Sequence, residues 1–340
     1  MNKQRLTEIL SKFPLVHIAV IGDYFLDRYW QIDSERDEPS IETGLTAYQI
    51  VDCWGSPGAA GTVVNNLSAL GVGKIDAIGF IGKDGEGYEL AALLDKIGVR
   101  QHHLVESEQR VTPCYTKPLR NGIEMNRFDI KNRTATPPEI ETILIASIQE
   151  IIGHVNALII MDQVSEENCG VLTKHVRNHL IQLGRKLERP LIYADSRERI
   201  HLYSEMVIKC NERETLEAFG LYDGTTPALD LLKQCGQSLA EKTGHAVFIT
   251  MGERGQLVVD PKSKTQQIKH VPAIPVRETI DICGAGDASS SAIVAALCAG
   301  ANYEEAAFLG NLASSITIRK IGQTGTASPK EILNAFDEYQ

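Results

Sequence analysis

The chain has 340 residues, of which 43% are hydrophobic and 23% are charged, and its formal net charge is −10. This length allows one large α/β domain, and the apolar content is enough for a substantial core. The negative charge argues against nucleic acid as the main partner, and no apolar run reaches the length of a membrane span. The seven cysteines are scattered without a CxxC pair, and the N-terminus has no signal-peptide core, so we expect a cytoplasmic protein with reduced thiols.

Strands and helices alternate in the first hundred residues, which is typical of an α/β sheet. The predicted elements are, in chain order, helix 3–13, strand 16–21, a helix from the glycine-rich turn at 55–61 to Gly71, strand 75–81 and helix 86–97. Asp27 follows the first strand closely. Because open α/β sheets bind ligands beyond the carboxyl ends of their strands, Asp27 is a candidate ligand contact.

Two segments interrupt this alternation. Residues 31–52 are polar and partly alternating, and residues 105–130 contain a hairpin pattern about Asn121-Gly122. We expect these two segments to form a small β lid on the α/β body.

The alternation resumes after residue 138. The predicted elements are helix 138–152, strand 157–161 before Asp162, helix 166–187, strand 191–194 before Asp195, strand 206–209, helix 227–243, strand 246–250 and a hairpin return at 256–260. Acids and glycines recur just after these strands, which indicates potential ligand positions along one sheet edge. No repeat or linker divides the chain, so we expect one domain over 1–340, and the absence of a Walker A pattern excludes P-loop chemistry.

The stretch Asp281–Asp287, Asp-Ile-Cys-Gly-Ala-Gly-Asp, carries the strongest chemical signal. A small-residue apolar run follows it and ends at Gly300, so Gly284 to Gly286 are expected at a helix N-terminus, where free N–H groups favour an anion. Glycine also lets a phosphoryl group approach the backbone. Asp287 could take a proton from an attacking hydroxyl, and phosphoryl transfer to an alcohol needs both parts.

Two other interpretations of this stretch stay open from the residues alone. It could be a glycine turn that caps an ordinary core helix, with Asp287 complementing the helix dipole. It could also be a degenerate dinucleotide fingerprint, although helix signals continue through Glu304 and Glu305, where that fingerprint requires a second strand.

Three motifs together resemble the PfkB (ribokinase-like) carbohydrate kinase family over nearly the whole chain. Asp281–Asp287 is similar to the family's C-terminal signature, Asp-Thr-x-Gly-Ala-Gly-Asp, and Gly58–Leu67 is similar to its N-terminal signature. Asn211-x-x-Glu214 matches a third family motif. The segments most similar to the heptose-7-phosphate kinase branch are Gly22–Trp30, Asn311–Ser315 and 320–322.

The resemblance implies a ribokinase-like three-layer α/β sandwich with a mainly parallel central sheet and a small β lid. It also implies that Asp287 is the base and that the amides of Gly284, Ala285 and Gly286 form an anion hole. The implied sugar contacts are Asp27, Gly58, Ala59, Thr62 and Asp162, with Lys117 and Arg127 on the lid. The implied nucleotide contacts are Asn211, Thr250, Gly252, Gly255 and Asn311.

The same resemblance implies cofactors and an oligomeric state. Asn211 and Glu214 would organise Mg²⁺ and the ATP phosphates, largely through water. Some family members use a K⁺ ion, which would lie near Asp281. Lid strands often pair between subunits in this family, which implies a homodimer.

The sugar-side signature departs from the family pattern. Ala59 replaces a glycine, and Thr62 replaces an asparagine whose amide both donates and accepts hydrogen bonds. The lid segment 35–40 lacks the Pro-Glu-Ala-Pro pattern of the heptose kinases, and the chain carries no nucleotidyltransferase half. The sugar is therefore left open.

The sequence predicts an ATP- and Mg²⁺-dependent kinase that phosphorylates a hydroxyl group of a sugar or sugar phosphate. The alternatives are a nucleoside kinase on the same fold and a catalytically silent sugar or nucleotide sensor. A dinucleotide-dependent oxidoreductase is a more distant alternative.

Overall fold

Continuous apolar runs form the inner strands of a central sheet. In the computed structural model, which describes residues 1–264, 267–322 and 324–339, β1 (His17–Gly22) and β11 (Ala157–Asp162) are buried along almost their whole length. They pair in parallel, with Ile18 opposite Ala157. Parallel strands covered on both faces are expected to show such uninterrupted apolar runs.

The central sheet has nine strands within these described ranges. In spatial order they are β16 (Ile268–Val271), β15 (Gln256–Val259), β14 (Val247–Thr250), β13 (Val207–Asn211), β12 (Leu191–Ser196), β11, β1, β6 (Lys74–Gly82) and β7 (Arg100–Ser107). The pairs β14–β15 and β15–β16 are antiparallel, and every other neighbouring pair is parallel. This confirms the predicted, mainly parallel sheet.

Helices cover both faces of this sheet. One layer contains α1 (Lys3–Lys12), α2 (Ala60–Ala69), α3 (Gly85–Lys96), α8 (Ala285–Cys298), α9 (Tyr303–Thr317) and α10 (Pro329–Tyr339). The other contains α4 (Pro138–Ile151), α5 (Lys174–Lys186), α6 (Glu212–Glu217) and α7 (Leu229–Thr243). The three-layer α/β prediction is therefore confirmed. Across the part of the chain that is described, no helix combines the length and the apolar character needed to cross a membrane.

A second, five-stranded sheet forms the lid. Its strands are β2 (Tyr24–Ile32), β5 (Ile50–Ala59), β8 (Cys114–Arg120), β9 (Ile123–Glu124) and β10 (Phe128–Ile130). β2 lies at the centre, antiparallel to β5 and parallel to β8. Asn121 and Gly122 both have positive φ and join β8 to β9, as expected for the Asn-Gly hairpin.

The observed boundaries differ from the predicted ones in several places. β2 starts the lid at residue 24 rather than 31, because only Asp23 separates it from the buried run of β1. Segment 33–49 is mostly turn, with two short strands, β3 (Glu38–Pro39) and β4 (Thr46–Ala47). In the second predicted lid segment, β7 belongs to the central sheet instead.

A further difference is α5, which begins at Lys174 rather than at residue 166. Thr173 caps it, because its hydroxyl accepts a hydrogen bond from Val176 N at 3.3 Å. Asn168 has a positive φ of 58°, a conformation that a helix cannot contain. The polar residues before Thr173 therefore form turns.

Gly73 lies tightly against the chain segment that precedes β1. A Cβ atom at this position would overlap the carbonyl oxygen of Pro14. We expect Gly73→Ala to lower the free energy of unfolding by about 1–3 kcal/mol, as overpacking does. Chemical denaturation measures this loss. Gly153→Ala is the control, since its Cβ would meet no atom within 4 Å; equal losses in both variants would show that the overlap has no effect.

Candidate active site

Helix α8 begins after a turn that favours glycine. Gly284 has a φ of 76°, in the left-handed region. The predicted anion hole contains three amides, but Ala285 N already donates to Ile282 O at 3.2 Å. The N–H groups of Gly286 and Asp287 donate to no residue that the structure describes. These two groups are therefore the donors available to an anion at this helix start.

The Asp287 carboxylate lies in the first turn of α8, next to these free N–H groups. Burial raises its pKa to about 7, and the carboxylate of Asp195 acts in the same direction, while the charges of Lys209 and Arg197 oppose the shift. A carboxylate with a pKa near 7 is suited to accept a proton at neutral pH. The sequence-based role of Asp287 is thus chemically feasible here.

A buried lysine–aspartate pair lies beneath the start of α8. Lys209 Nζ on β13 donates to Asp195 Oδ2 on β12 at 2.9 Å, and the two side chains are only 6% and 4% exposed. Asp195 also accepts from Ser290 Oγ at 3.0 Å, and Ser290 Oγ accepts from Tyr193 OH at 3.1 Å. A Cβ on Gly286 would lie 3.1 Å from Lys209 Nζ. The ammonium group is therefore adjacent to the free amides.

Asn211 and Glu214 form a reciprocal capping box at the start of α6. Asn211 Oδ1 accepts from Glu214 N at 2.8 Å, and Glu214 Oε2 accepts from Asn211 N at 2.7 Å. Burial raises the pKa of Glu214 to about 7, against the opposing charge of Lys209. Glu214 Oε1 accepts no hydrogen bond from a described residue. A free, hard carboxylate oxygen fits Mg²⁺, directly or through water.

A cleft of about 720 Å³ extends from the start of α8 across the carboxyl ends of β13 and β14. Lys209, Asn211 and Gly286 line its polar end, and Ile274 and Ile318 belong to its apolar wall. Ligand sites typically combine an apolar wall with a few polar groups that fix orientation. The cleft could therefore hold an apolar ring system and an anionic group at the same time.

The predicted nucleotide contacts divide between this cleft and the turn beside it. Thr250, Gly252 and Asn311 lie on the cleft wall. The Asn311 side chain is already engaged, because Oδ1 accepts from Gln256 at 2.8 Å and Nδ2 donates to backbone carbonyls at the end of β16. Gly255 does not line the cleft; its φ of 84° and the backbone atoms around it explain the glycine as a requirement of the turn before β15.

On the lid, Asp27 lies beside a lysine and two stacked aromatic rings. Lys117 Nζ is 3.5 Å from Asp27 Oδ1, donates to Tyr29 OH at 3.3 Å and lies 4.9 Å from the Tyr29 ring centroid. Trp54 stacks on Tyr29 at 5.4 Å. Burial raises the pKa of Asp27, while Lys117 and Arg127 oppose the shift. The sequence position of Asp27 had suggested that it follows the end of a central strand. In the structure it belongs instead to β2 of the lid.

The N-terminal signature connects the lid to α2. A Cβ on Gly58 would be 2.9 Å from Asp27 Oδ2, so glycine leaves room for this carboxylate. Ala59 has a φ of 53° and a ψ of −117°, a conformation that glycine adopts without strain. Thr62 is buried and its hydroxyl donates to Pro57 O at 3.2 Å. The Thr62 side chain therefore ties the first turn of α2 to the end of β5.

The structure places Asp162 in a separate buried network. Its carboxylate accepts from Arg199 Nη2 at 2.7 Å, from Ser196 Oγ at 2.8 Å and from Tyr203 OH at 3.1 Å. Both oxygens are engaged, and Asp162 does not line the cleft at the start of α8. A ligand contact at Asp162 would have to replace one of these bonds, and its predicted role stays a prediction.

Three basic side chains gather around the ring of Tyr115. The Arg127 guanidinium carbon is 4.7 Å and Lys131 Nζ is 5.6 Å from the ring centroid. Burial raises the pKa of Tyr115 to about 12, while the nearby charges of Arg127 and Arg197 oppose the shift. Arg127 pairs with Asp129 at 2.7 Å, but neither Lys131 nor Arg197 forms a salt bridge within the described ranges. Lys131 and Arg197 are therefore two cations without a salt bridge in this part of the described structure.

Asp281 fixes the loop before α8 to the loop after α9. Asp281 Oδ1 accepts from Cys283 N at 3.0 Å, and Oδ2 accepts from Gly322 N at 3.1 Å. These two hydrogen bonds fix the loop that leads into Gly284. A separate group, His102, His103 and Glu150, brings three potential metal-ligand atoms within 4.8 Å of one another, but none of these residues lines the cleft.

Sequence reasoning missed Lys209 and Arg197 and gave Asp195 no role. The sequence signal for Lys209 was its positive charge within the otherwise apolar predicted strand 206–209. The signal for the pair was that Asp195 and Lys209 are oppositely charged residues in two successive apolar strands. Their contact depends on β12 and β13 being neighbours in register, and single-strand patterns do not contain this information.

Comparison with known proteins gives the family directly. The sequence pattern of the pfkB family carbohydrate kinases matches residues 36–331. The chain is 29% identical over 323 residues to the Bifunctional protein HldE of Gluconacetobacter diazotrophicus, and 30% identical over 323 residues to that of Rhodospirillum rubrum. These matches cover 94% and 93% of this chain but 64% and 62% of the relatives. The chain therefore spans less than two thirds of their length.

Solved structures show the same fold at lower identity. Phosphofructokinase-2 from Escherichia coli, in complex with potassium, gives a TM-score of 0.73 at 19% identity, covering 95% of this chain and 99% of that one. Ribokinase from Thermotoga maritima gives 0.68 at 16% identity, with coverage of 95% and 99%. The fold is ribokinase-like, and the family pattern covers most of the sequence. The chain belongs to the pfkB family of carbohydrate kinases.

Proposed function

We propose that this kinase transfers the γ-phosphoryl group of ATP to a hydroxyl group of a sugar phosphate, with Asp287 as the general base. The observation that carries this proposal is the start of α8. There a carboxylate with a pKa near 7 stands next to two N–H groups that donate to no described residue, beside the cleft that Gly286 lines. These are the groups that transfer to an alcohol requires.

In the proposed reaction, Asp287 accepts the proton of the acceptor hydroxyl as its oxygen bonds to the γ-phosphorus. The bond between that phosphorus and the bridging oxygen of ADP breaks. The N–H groups of Gly286 and Asp287 donate hydrogen bonds to oxygens of the transferring phosphoryl group. Asn211 and Glu214 would hold Mg²⁺, which supplies positive charge to the nucleotide phosphates when bound.

A sugar phosphate is favoured over a neutral sugar by the cations around Tyr115. Lys131 and Arg197 carry no salt bridge in the described structure, in a chain with a net charge of −10. Unpaired cations beside a ligand site are suited to bind a phosphate group. Arg127, Lys117 and Asp27 complete the polar lining on the lid side.

The test is ADP release with Mg-ATP against sugars, the matching sugar phosphates including heptose phosphates, and nucleosides. We expect turnover with a sugar phosphate and at least about tenfold less with its neutral partner, since a charge-assisted hydrogen bond contributes about 1.5–3 kcal/mol. Arg197→Gln should raise KM for the phosphate alone. Preference for the neutral sugar would overturn the phosphate part, and turnover with nucleosides alone would establish the nucleoside-kinase alternative.

The pH dependence follows from the raised pKa of Asp287. Asp287 must be deprotonated to act as base, so kcat/KM is expected to be low in acid and to rise as pH increases through about 7. Initial rates measured from acid to mildly alkaline pH give this rise, the acid limb of the pH–rate profile. A limb near the ordinary aspartate pKa of about 4 would contradict the assignment of the base.

Three further expectations stay proposals. A K⁺ ion near Asp281 would use the loop that Asp281 fixes to Gly322. A homodimer through the lid is compatible with exposed apolar lid residues such as Leu45 and Phe128, which are 72% and 61% exposed. A cytoplasmic location is compatible with the free cysteines.

A further inference from the structure

We propose that Lys209 is a catalytic residue of this kinase, whose ammonium group binds the transferring phosphoryl group beside the N–H groups of Gly286 and Asp287. This inference rests on the proposed function. It assigns the positive charge at the anion hole to a strand residue outside the motifs that identify the family.

The first support is position. Lys209 lies in the middle of β13, two residues before its carboxyl end at Asn211, and lines the same cleft as Gly286. Its Nζ is so close to Gly286 that a Cβ there would lie 3.1 Å from it. A negatively charged group that accepts hydrogen bonds from the Gly286 and Asp287 amides would therefore also be within reach of the ammonium.

The second support is how the charge is held. Lys209 Nζ donates to Asp195 Oδ2 at 2.9 Å, and both side chains are buried, so the ammonium group is fixed in place. Asp195 is itself fixed by Ser290, which Tyr193 holds in turn. Among the described residues Lys209 Nζ donates one hydrogen bond, to Asp195, and an ammonium has three hydrogens. Donor capacity is therefore left over in a fixed, buried position.

The third support is the shortage of other cations at this point. The other basic residue lining the cleft, Arg213, pairs with Glu217 at 2.7 Å and is 67% exposed. The carboxylates of Asp195, Glu214 and Asp287 surround the site, and besides Lys209 the main positive charge that acts on Glu214 and Asp287 is that of Arg197, which does not line the cleft. Fixed positive charge at a developing phosphoryl transition state is the usual solution to this problem.

The competing explanation is that Lys209 and Asp195 are only a structural ion pair. A buried pair is weak support for stability, since uncharged residues of similar volume often replace it without loss. Lys209→Met alone would leave Asp195 as an unpaired buried carboxylate, and we expect it to lose stability. The double variant Lys209→Met/Asp195→Asn removes both charges and therefore carries the test.

We expect the double variant to fold, to bind ADP as the wild type does, and to lose about 10²–10³ in kcat, the scale of a lost oxyanion donor. The control Arg5→Met/Glu305→Gln neutralises another ion pair, between α1 and α9, and should leave kcat unchanged. Circular dichroism and thermal unfolding establish that each variant is folded.

Calorimetry gives a readout that does not depend on turnover. We expect the affinity for β,γ-methylene-ATP to fall at least about tenfold in the double variant while the affinity for ADP stays within about threefold, because only the former carries a γ-phosphoryl group for the ammonium. The inference would be overturned if neither affinity changed, or if both affinities changed by the same factor. So would a folded double variant with wild-type kcat.

The pH profile separates direct binding of the phosphoryl group from an effect on the base. The charged groups that face Asp287 are Asp195, Lys209, Arg197 and Asp27. Lys209→Met should move the acid limb of kcat/KM to higher pH, because a positive neighbour is lost. The double variant should return the limb towards wild type while kcat stays low; recovery of kcat together with the limb would contradict direct binding.

Failure of the proposed function gives a different pattern. Wild-type enzyme without turnover on any acceptor would reject the kinase assignment of this site, yet the two affinities would still decide the position of Lys209. Active wild-type enzyme with an equally active double variant would reject the role of Lys209 alone.

Discussion

Asp287→Asn is expected to lower kcat by roughly 10² or more while the fold and ATP binding are preserved, the scale of a lost general base. Asparagine keeps the shape of the side chain, and the N–H groups at the start of α8 are unaffected. The substitution removes only the carboxylate that we propose accepts the hydroxyl proton. Initial rates with saturating acceptor and calorimetric titration with ATP measure the two quantities.

A matched control for Asp287→Asn is Asp281→Asn in the loop just before α8. Asp281 accepts two backbone hydrogen bonds, and an amide oxygen can keep one of them, so we expect a much smaller loss of kcat. If Asp287→Asn retained wild-type kcat, Asp287 would not be the base. If both variants lost activity equally, the effect would lie in the loop rather than in proton transfer.

Gly284→Ala is expected to lower kcat/KM by about 10², because a misplacement of about 1 Å at the reacting centre has effects of this size. A Cβ at position 284 would lie 2.5 Å from the Thr324 side chain and would require φ near 76° from a residue that avoids it. Either the loop or the start of α8 must shift. The free amides would then move with it.

The other end of the same helix offers the control for Gly284→Ala. Gly300 also has a positive φ, 87°, but a Cβ there would meet no atom within 4 Å. Gly300→Ala should therefore reduce stability through backbone strain and leave kcat/KM almost unchanged. Equal losses of kcat/KM in the two variants would show that strain, rather than displacement of the anion hole, is responsible.

The central fold was predictable because its signals are local. The buried strands and the helices that follow them differ in length and periodicity, and the pfkB signatures stand where glycine is physically required, as at Gly284. The family resemblance and the ribokinase-like sandwich are both confirmed. The lid was harder, because β2 follows β1 almost without a break and a sequence pattern does not reveal which sheet a strand joins.

The candidate site was predictable only where one short segment contains its parts. Gly286 and Asp287 are neighbours in sequence, so the anion donors and the base could be recognised together. Lys209 and Asp195 come from adjacent parallel strands, and Arg197 approaches from the loop after one of them. Asp162 resembled Asp195 in sequence, since both follow apolar strands, but its carboxylate is engaged by Arg199.

The most direct measurement is ³¹P NMR of the products formed by the purified protein from Mg-ATP and a panel of sugar phosphates. The proposal predicts ADP together with a second phosphate ester on the acceptor, formed by wild type and lost in Asp287→Asn. ATP that is bound but never transferred to any sugar, sugar phosphate or nucleoside would contradict it. Transfer that persists at the wild-type rate in Asp287→Asn would contradict the assigned base.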